Sequence, residues 1–137
     1  MIKHCKHRNN HIILLVKNQT GLKNLYKLIT KSHLEHFDGR PIIYKSLLEQ
    51  HRDGIIVGSA CEAGEVFKAI INKLPDEETK KTAEFYDYLE IMPICNNSFM
   101  LYEDNPKAKN EDELRAFNKE IVALGKELNK PVVATGE

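Results

Sequence analysis

The stretch GIIVGSACEAGEVFKAII, residues 54–71, decides the fold because it combines an apolar run, a small-residue turn and a helical pattern. Residues 55–57 are β-branched, which favours a short buried strand. Residues 58–64 are mostly small, and from residue 66 onward apolar side chains recur at helical spacing. The stretch therefore predicts a strand, a turn and a helix, with Cys61 in the turn just beyond the strand.

The rest of the chain repeats this alternation. Further strands are predicted at HIILLV (11–16), YLEIMPI (88–94) and KPVVATGE (130–137), and helices within 17–37, 45–53, 65–74, 76–88 and 112–129. Thr20 is the predicted N-cap of the first long helix, and residues 95–112 are predicted to form a loop. Such alternation predicts an α/β fold with parallel strands and crossover helices, in a barrel or a doubly wound sheet.

Composition excludes several functional classes. Of 137 residues 42% are hydrophobic, enough for one core, and 20 basic residues balance 20 acidic ones, so no global field attracts nucleic acid. The apolar run 12–16 is far shorter than the roughly 20 residues that span a bilayer, and residues 1–10 lack a signal-peptide core. Three cysteines without disulfide-like spacing suit a reducing compartment. We therefore expect a cytoplasmic protein that has no contact with membranes.

Several side chains at predicted strand ends are of metal-ligand type. They are His11, Cys61 with Glu62 and Glu65, Glu90, and Glu137. Imidazole, thiolate and carboxylate are the donors that zinc or manganese binds. On local features alone, the favoured interpretation is that Cys61 fills space in the core, that the glutamates favour a helix N-terminus and that His11 is incidental.

Other candidate motifs have weaker support. A nucleophilic role for Cys61 is disfavoured, because the neighbouring glutamates would raise its pKa. The cluster HCKH at residues 4–7 lacks a second half with matching ligand spacing, and the pair His33 and His36 lies near a helix end, where imidazoles suit the helix dipole.

The order of motifs is more specific than any one of them. HIILLVKNQTGLKNLYKLITKSHLEHF, RPIIYKSLLEQHRDGIIVGSACEAGEVFKAI, FYDYLEIMPI and KPVVATG together resemble the C-terminal part of the PHP (polymerase and histidinol phosphatase) domain of bacterial DNA polymerase III alpha subunits, PolC type. The resemblance covers nearly the whole chain after residue 10. It implies a partial, distorted βα barrel, with a disordered or boundary segment at residues 1–10 and the C-terminal portion of a PHP domain at residues 11–137.

The resemblance also implies a set of metal ligands. The histidine of HIILLV, His11, and the cysteine of GSACEAGE, Cys61, match family ligand positions. The family's last motif is Thr-Gly-Asp, one residue and His, so that Glu137 stands at the aspartate position. The implied metals are zinc or manganese. Because the other family ligands are not in this sequence, we expect the chain alone to bind metal weakly or not at all.

The function that the resemblance implies belongs to a larger protein. The chain would be a fragment of a replicative DNA-directed DNA polymerase, a nucleotidyltransferase with an associated 3′–5′ exonuclease, whose catalytic magnesium ions are held outside this chain. Its implied partners are DNA and replisome subunits. The PHP portion would be mainly structural, or a remnant of a metal-dependent phosphoesterase.

Two alternatives remain at this stage. The first is a free-standing PHP-type phosphoesterase that acts on a small phosphorylated substrate, which would need the full ligand set in one chain. The second is an interaction module with an open sheet edge. Because unpaired strands are adhesive, we expect the chain to self-associate.

Overall fold

The computed structural model of the chain describes residues 2–3 and 9–136. The strands are β1 Ile2–Lys3, β2 Asn9–Asn10, β3 Ile13–Val16, β4 Ile43–Tyr44, β5 Ile55–Gly58, β6 Leu89–Ile91 and β7 Val132–Ala134. The helices are α1 Gln19–Leu34, α2 Lys45–Gln50, α3 Glu65–Ile71, α4 Asp76–Glu84 and α5 Glu111–Glu127, with a 3-10 helix at Ile94–Leu101. The predicted mixed α/β class is thus confirmed, whereas no closed sheet is present among the described residues. Within the same residues, every helix is too short or too polar to cross a membrane.

The chain divides into two compact units, residues 1–58 and 59–137. In the first unit, β1 pairs with β2 in antiparallel and with β4 in parallel orientation, and β3 pairs with β5. Leu28 of α1 and Val57 of β5 are both fully buried. Burial of such apolar side chains is what holds α1 to the sheet.

The pairing of β3 with β5 is antiparallel, which differs from the predicted parallel arrangement. The strand that follows α1 along the chain is β4, and it joins β1 instead of β3. Alternation of strands and helices in a sequence does not specify which strands become neighbours. Antiparallel strands can also pair without the crossover helix that a parallel pair requires. The directional part of the fold prediction was therefore wrong for this pair.

The start of α1 explains a close approach between two glycines. The N-cap is Asn18, not the predicted Thr20, and its side-chain oxygen accepts a hydrogen bond of 2.9 Å from the backbone amide of Gly21. A Cβ atom on Gly21 would collide with the backbone carbonyl oxygen of Gly54, which itself has a φ of +75°. Only glycine at both positions permits this contact between α1 and the turn before β5.

The second unit is organised around α5. The predicted helix within residues 112–129 is confirmed, and its side chains Leu114, Phe117, Ile121 and Leu124 are all buried. Phe117 meets Phe67 of α3 edge to face, with ring centroids 6.0 Å apart. The parallel pair β6–β7 also packs against α5, so that one helix face joins the helical layer to the strands.

The segment after β6 differs from the sequence prediction. The strand was expected to reach residue 94, but it ends at Ile91, and the 3-10 helix replaces the first part of the predicted loop. Pro93 precedes this helix and has no backbone N–H to donate to a sheet. Its carbonyl oxygen instead accepts a hydrogen bond from the amide of Asn96 at 3.0 Å.

The glycine contact in the first unit gives a stability prediction. We expect Gly21→Ala to lower the free energy of unfolding by about 3 kcal/mol, because the added methyl group overlaps backbone atoms that cannot move aside. Gly39→Ala is the matched control, since Gly39 has a φ of +69° but no atom within 4 Å of the added carbon; we expect about 1 kcal/mol from backbone strain alone. Urea unfolding measures both values, and an equal loss in the two variants would contradict the packing argument.

Candidate functional site

Residues 59–64 form a tight turn that connects β5 to α3. Ala60 has a φ of 60°, a conformation that is costly for residues other than glycine. A Cβ atom on Gly64 would collide with the carbonyl oxygens of Ser59 and Cys61, and the Gly64 amide donates a 2.8 Å hydrogen bond to the Cys61 carbonyl. The small residues that the sequence showed here are therefore required by close backbone contacts.

The thiol of Cys61 is half-buried and is not in a disulfide. Burial raises its pKa, and the neighbouring Glu62 carboxylate raises it further, whereas a hydrogen bond from the Ala63 backbone acts in the opposite direction. The side chain is therefore a protonated thiol at neutral pH. Since the thiolate is the reactive form of cysteine, this agrees with the expectation that Cys61 is a poor nucleophile.

Glu65 connects the first turn of α3 to the core of the second unit. Its carboxylate accepts a 3.0 Å hydrogen bond from the hydroxyl of Tyr86, a side chain that is 0% exposed. A buried phenol hydroxyl needs such a partner. The hydrogen bond with Tyr86 therefore gives Glu65 a structural role at the start of α3.

Glu90 on β6 is the buried carboxyl group of the second unit, with 6% of its surface exposed. Its two oxygens accept hydrogen bonds from the hydroxyl of Tyr88 at 3.0 Å and from the hydroxyl of Thr135 at 3.3 Å. Burial, followed by this hydrogen bond and the charge of Glu90, raises the pKa of Tyr88 to about 12. The phenol therefore stays protonated and acts as the donor in this pair.

Ser59 connects the Cys61 turn to the same strand. Its backbone amide donates to the carbonyl oxygen of Tyr88 at 3.2 Å, and its hydroxyl accepts from the backbone amide of Glu90 at 3.0 Å. The residue is buried. No sequence motif pointed to Ser59 or Thr135, although the placement of both residues directly after apolar strands was an available signal.

The predicted ligands fall in different parts of the chain. His11 is exposed and follows β2 in the first unit, Cys61 lies in the second unit, and Glu137 lies outside the described residues. Across residues 2–3 and 9–136, no group of three or more His, Cys, Asp or Glu side chains could hold a metal ion. Imidazole and thiolate are suitable donors for zinc, but the described residues do not fit a complete metal centre. The three ligand roles remain predictions.

The other histidine motifs have local explanations or cannot be assessed. The cluster at residues 4–7 lies outside the described residues. The Nδ1 atom of His33 lies 2.9 Å from the carbonyl oxygen of Ile29 within α1, and the ring of His36 packs edge to face on Tyr44 with centroids 4.8 Å apart. These contacts account for both imidazoles in the described structure.

The amino-acid sequence of the chain matches a known protein family. The PHP domain family profile matches residues 1–99. The chain is also similar to proteins named DNA polymerase III PolC-type. Identity is 54% over 126 residues for the protein from Clostridium perfringens and 45% over 129 residues for that from Bacillus subtilis. These alignments include 92% and 94% of the chain.

The same alignments cover only 9% of each of these two relatives, so the chain spans about a tenth of their length. The likeness therefore concerns one region of a much larger protein. Within that region the family match includes β1 to β6 and the whole turn that carries Cys61. The chain belongs to the PHP domain family.

Proposed function

We propose that this chain is the PHP portion of a replicative DNA polymerase of the PolC type, which acts with DNA and replisome subunits in the bacterial cytoplasm. The observation that carries the proposal is the 54% and 47% identity to PolC-type polymerases over 92% and 91% of the chain. Nucleotide transfer with magnesium and 3′–5′ exonuclease activity would belong to other segments of that polymerase. No observation favours the free-standing phosphoesterase.

Within such a polymerase, the role that we propose for this region is mainly structural. The second unit has a continuous core that includes Tyr86, Leu89 and Ile121, each at most 1% exposed. The raised pKa of the Cys61 thiol keeps the cysteine in its less reactive form. Both properties support a scaffold that stabilises neighbouring parts of the polymerase more than a hydrolytic centre.

A core substitution tests the structural role. In the longer polypeptide that carries this chain, we expect Ile121→Ala to lower local stability by about 3 kcal/mol, because the side chain is 1% exposed and leaves a cavity. Primer extension should fall in proportion to the amount of folded protein, with an unchanged rate per folded molecule. Glu120→Gln, at the exposed neighbouring position, is the control. A lower rate per folded molecule would point to a catalytic role, and the 137-residue chain alone should show no primer extension.

We also propose that His11, Cys61 and Glu137 are this chain's contribution to a zinc or manganese centre whose other ligands lie elsewhere in the polymerase. The support is chemical: imidazole, thiolate and carboxylate are the donor types of such centres. The raised pKa of Cys61 means that binding must release the thiol proton. This proton release makes metal binding weaker at lower pH. Because the other ligands would lie elsewhere in the polymerase, the chain alone should hold metal poorly.

The metal content of the purified protein tests this proposal. We expect the longer polypeptide, purified without added metal, to contain zinc or manganese that is lost in both His11→Ala and Cys61→Ser. Cys95→Ser is the matched control, because Cys95 is an exposed free thiol on the 3-10 helix. The 137-residue chain should contain well under one metal ion per molecule. Equal metal content in Cys61→Ser and Cys95→Ser would refute the ligand role of Cys61.

Self-association is a further part of the proposal. In the described part of the chain, β3 pairs with β5 alone, so its other edge has no strand partner. Leu15 and Val16 of β3 are 47% and 42% exposed. An apolar edge of this kind can pair with a second strand.

Sedimentation velocity at increasing concentration tests this association. We expect the chain to form dimers or larger species, and we expect Leu15→Lys to weaken association by about tenfold, because a lysine on the edge opposes strand pairing. Leu74→Lys is the control, since Leu74 is 42% exposed but lies outside the strands. A chain that stays monomeric at millimolar concentration would exclude the proposal.

A further inference from the structure

The carboxyl group of Glu90 is buried without a basic partner among the described residues. Its hydrogen bonds come from two neutral hydroxyl groups, those of Tyr88 and Thr135, and the ion pairs of the described chain lie elsewhere. Burial of a carboxyl group is costly unless its oxygens are hydrogen-bonded. An apolar residue would fill this buried space without that cost. The carboxyl group of Glu90 and its two hydroxyl contacts therefore require an explanation.

One of these contacts holds the end of β7. Thr135 directly follows the strand, and its hydroxyl donates to Oε2 of Glu90 at 3.3 Å. Its backbone amide also donates to the carbonyl oxygen of Ile91 at 3.0 Å. The segment that leads to Glu137 is thus attached to β6 at two points.

The backbone of the same strand holds the turn that carries Cys61. The hydroxyl oxygen of Ser59 accepts a hydrogen bond from the backbone amide of Glu90, and the backbone amide of Ser59 donates one to the carbonyl oxygen of Tyr88. Ser59 and Thr135 are each two residues before a proposed metal ligand, Cys61 and Glu137 respectively. Each attachment therefore includes one hydrogen bond to Glu90, from its backbone amide to Ser59 and from Thr135 to its carboxylate.

We propose that Glu90 is a positioning residue, which fixes the turn that carries Cys61 and the residues 135–136 that follow β7. The backbone amide of Glu90 holds the turn through Ser59, and its carboxylate holds the segment after β7 through Thr135. The purpose of this arrangement rests on the proposed ligand roles of Cys61 and Glu137. The positioning itself is a property of hydrogen bonds and can be measured without metal.

Amide hydrogen exchange of the 137-residue chain, in the presence of a chelator, tests the carboxylate contact. We expect Thr135→Val to speed exchange in residues 132–136 by about tenfold, because the charge-assisted hydrogen bond is removed while the shape is kept. Thr135→Ser, which keeps the hydroxyl, should restore the native rate. Glu90→Gln, which removes the charge from the acceptor, should also speed exchange, and the effects of the two changes should be less than additive in the double variant, since both act on the same bond.

Chemical labelling of Cys61 tests the hydrogen bond between Ser59 and the backbone of Glu90. We expect Ser59→Ala to raise the rate of iodoacetamide labelling at Cys61 several-fold, with Ser59→Thr close to native, while labelling at Cys95 serves as the internal reference. Exchange in α5 and the behaviour of Glu120→Gln separate these local effects from a general loss of stability. If Glu90→Gln does not fold, the Thr135 and Ser59 series still decide the question.

The outcomes distinguish this inference from the proposed metal role. Native exchange in Thr135→Val, failure of Thr135→Ser to restore protection, or full additivity in the double variant would overturn the positioning role of Glu90. Unchanged labelling of Cys61 in Ser59→Ala would overturn its attachment of the turn that carries Cys61. Neither result depends on metal content, which tests the ligand roles separately.

Discussion

The pair of hydrogen bonds from Ser59 to Tyr88 and Glu90 is the constraint on which the second unit depends. It fixes the residue after β5 against Tyr88 and Glu90, and the turn that follows must then reach α3 within a few residues. That short distance explains the left-handed backbone at Ala60 and the lack of room for a side chain at Gly64. A strained turn persists only where the surrounding structure holds it, and β6 provides that support.

The environment of this turn and of β6 favours the protonated forms of two ionisable side chains. Burial raises the pKa of Cys61 and that of Tyr88, the latter to about 12. A protonated thiol and a protonated phenol are compatible with a stable scaffold. Any metal bound at Cys61 would have to displace the thiol proton.

The sequence predicts the elements better than their arrangement. Local periodicity located α1, α3 and α5, because each depends on neighbours three and four residues apart. It did not predict the antiparallel β3–β5 pair, since strand neighbours are chosen by tertiary packing. The resemblance in order of motifs was correct for the family, but it could not show that Glu90, Ser59 and Thr135 are joined, because hydrogen bonds between residues 31 and 45 positions apart have no local signature.

The most direct test of the account is X-ray anomalous scattering, at the zinc and manganese edges, on crystals of the longer polypeptide that carries this chain. The account predicts a metal peak bound by the Cys61 sulfur and a His11 nitrogen, which are zinc donors in proteins, and a Thr135 hydroxyl hydrogen-bonded to Glu90. A metal centre built without Cys61 and His11 would contradict it, as would a Glu90 carboxylate turned away from Thr135.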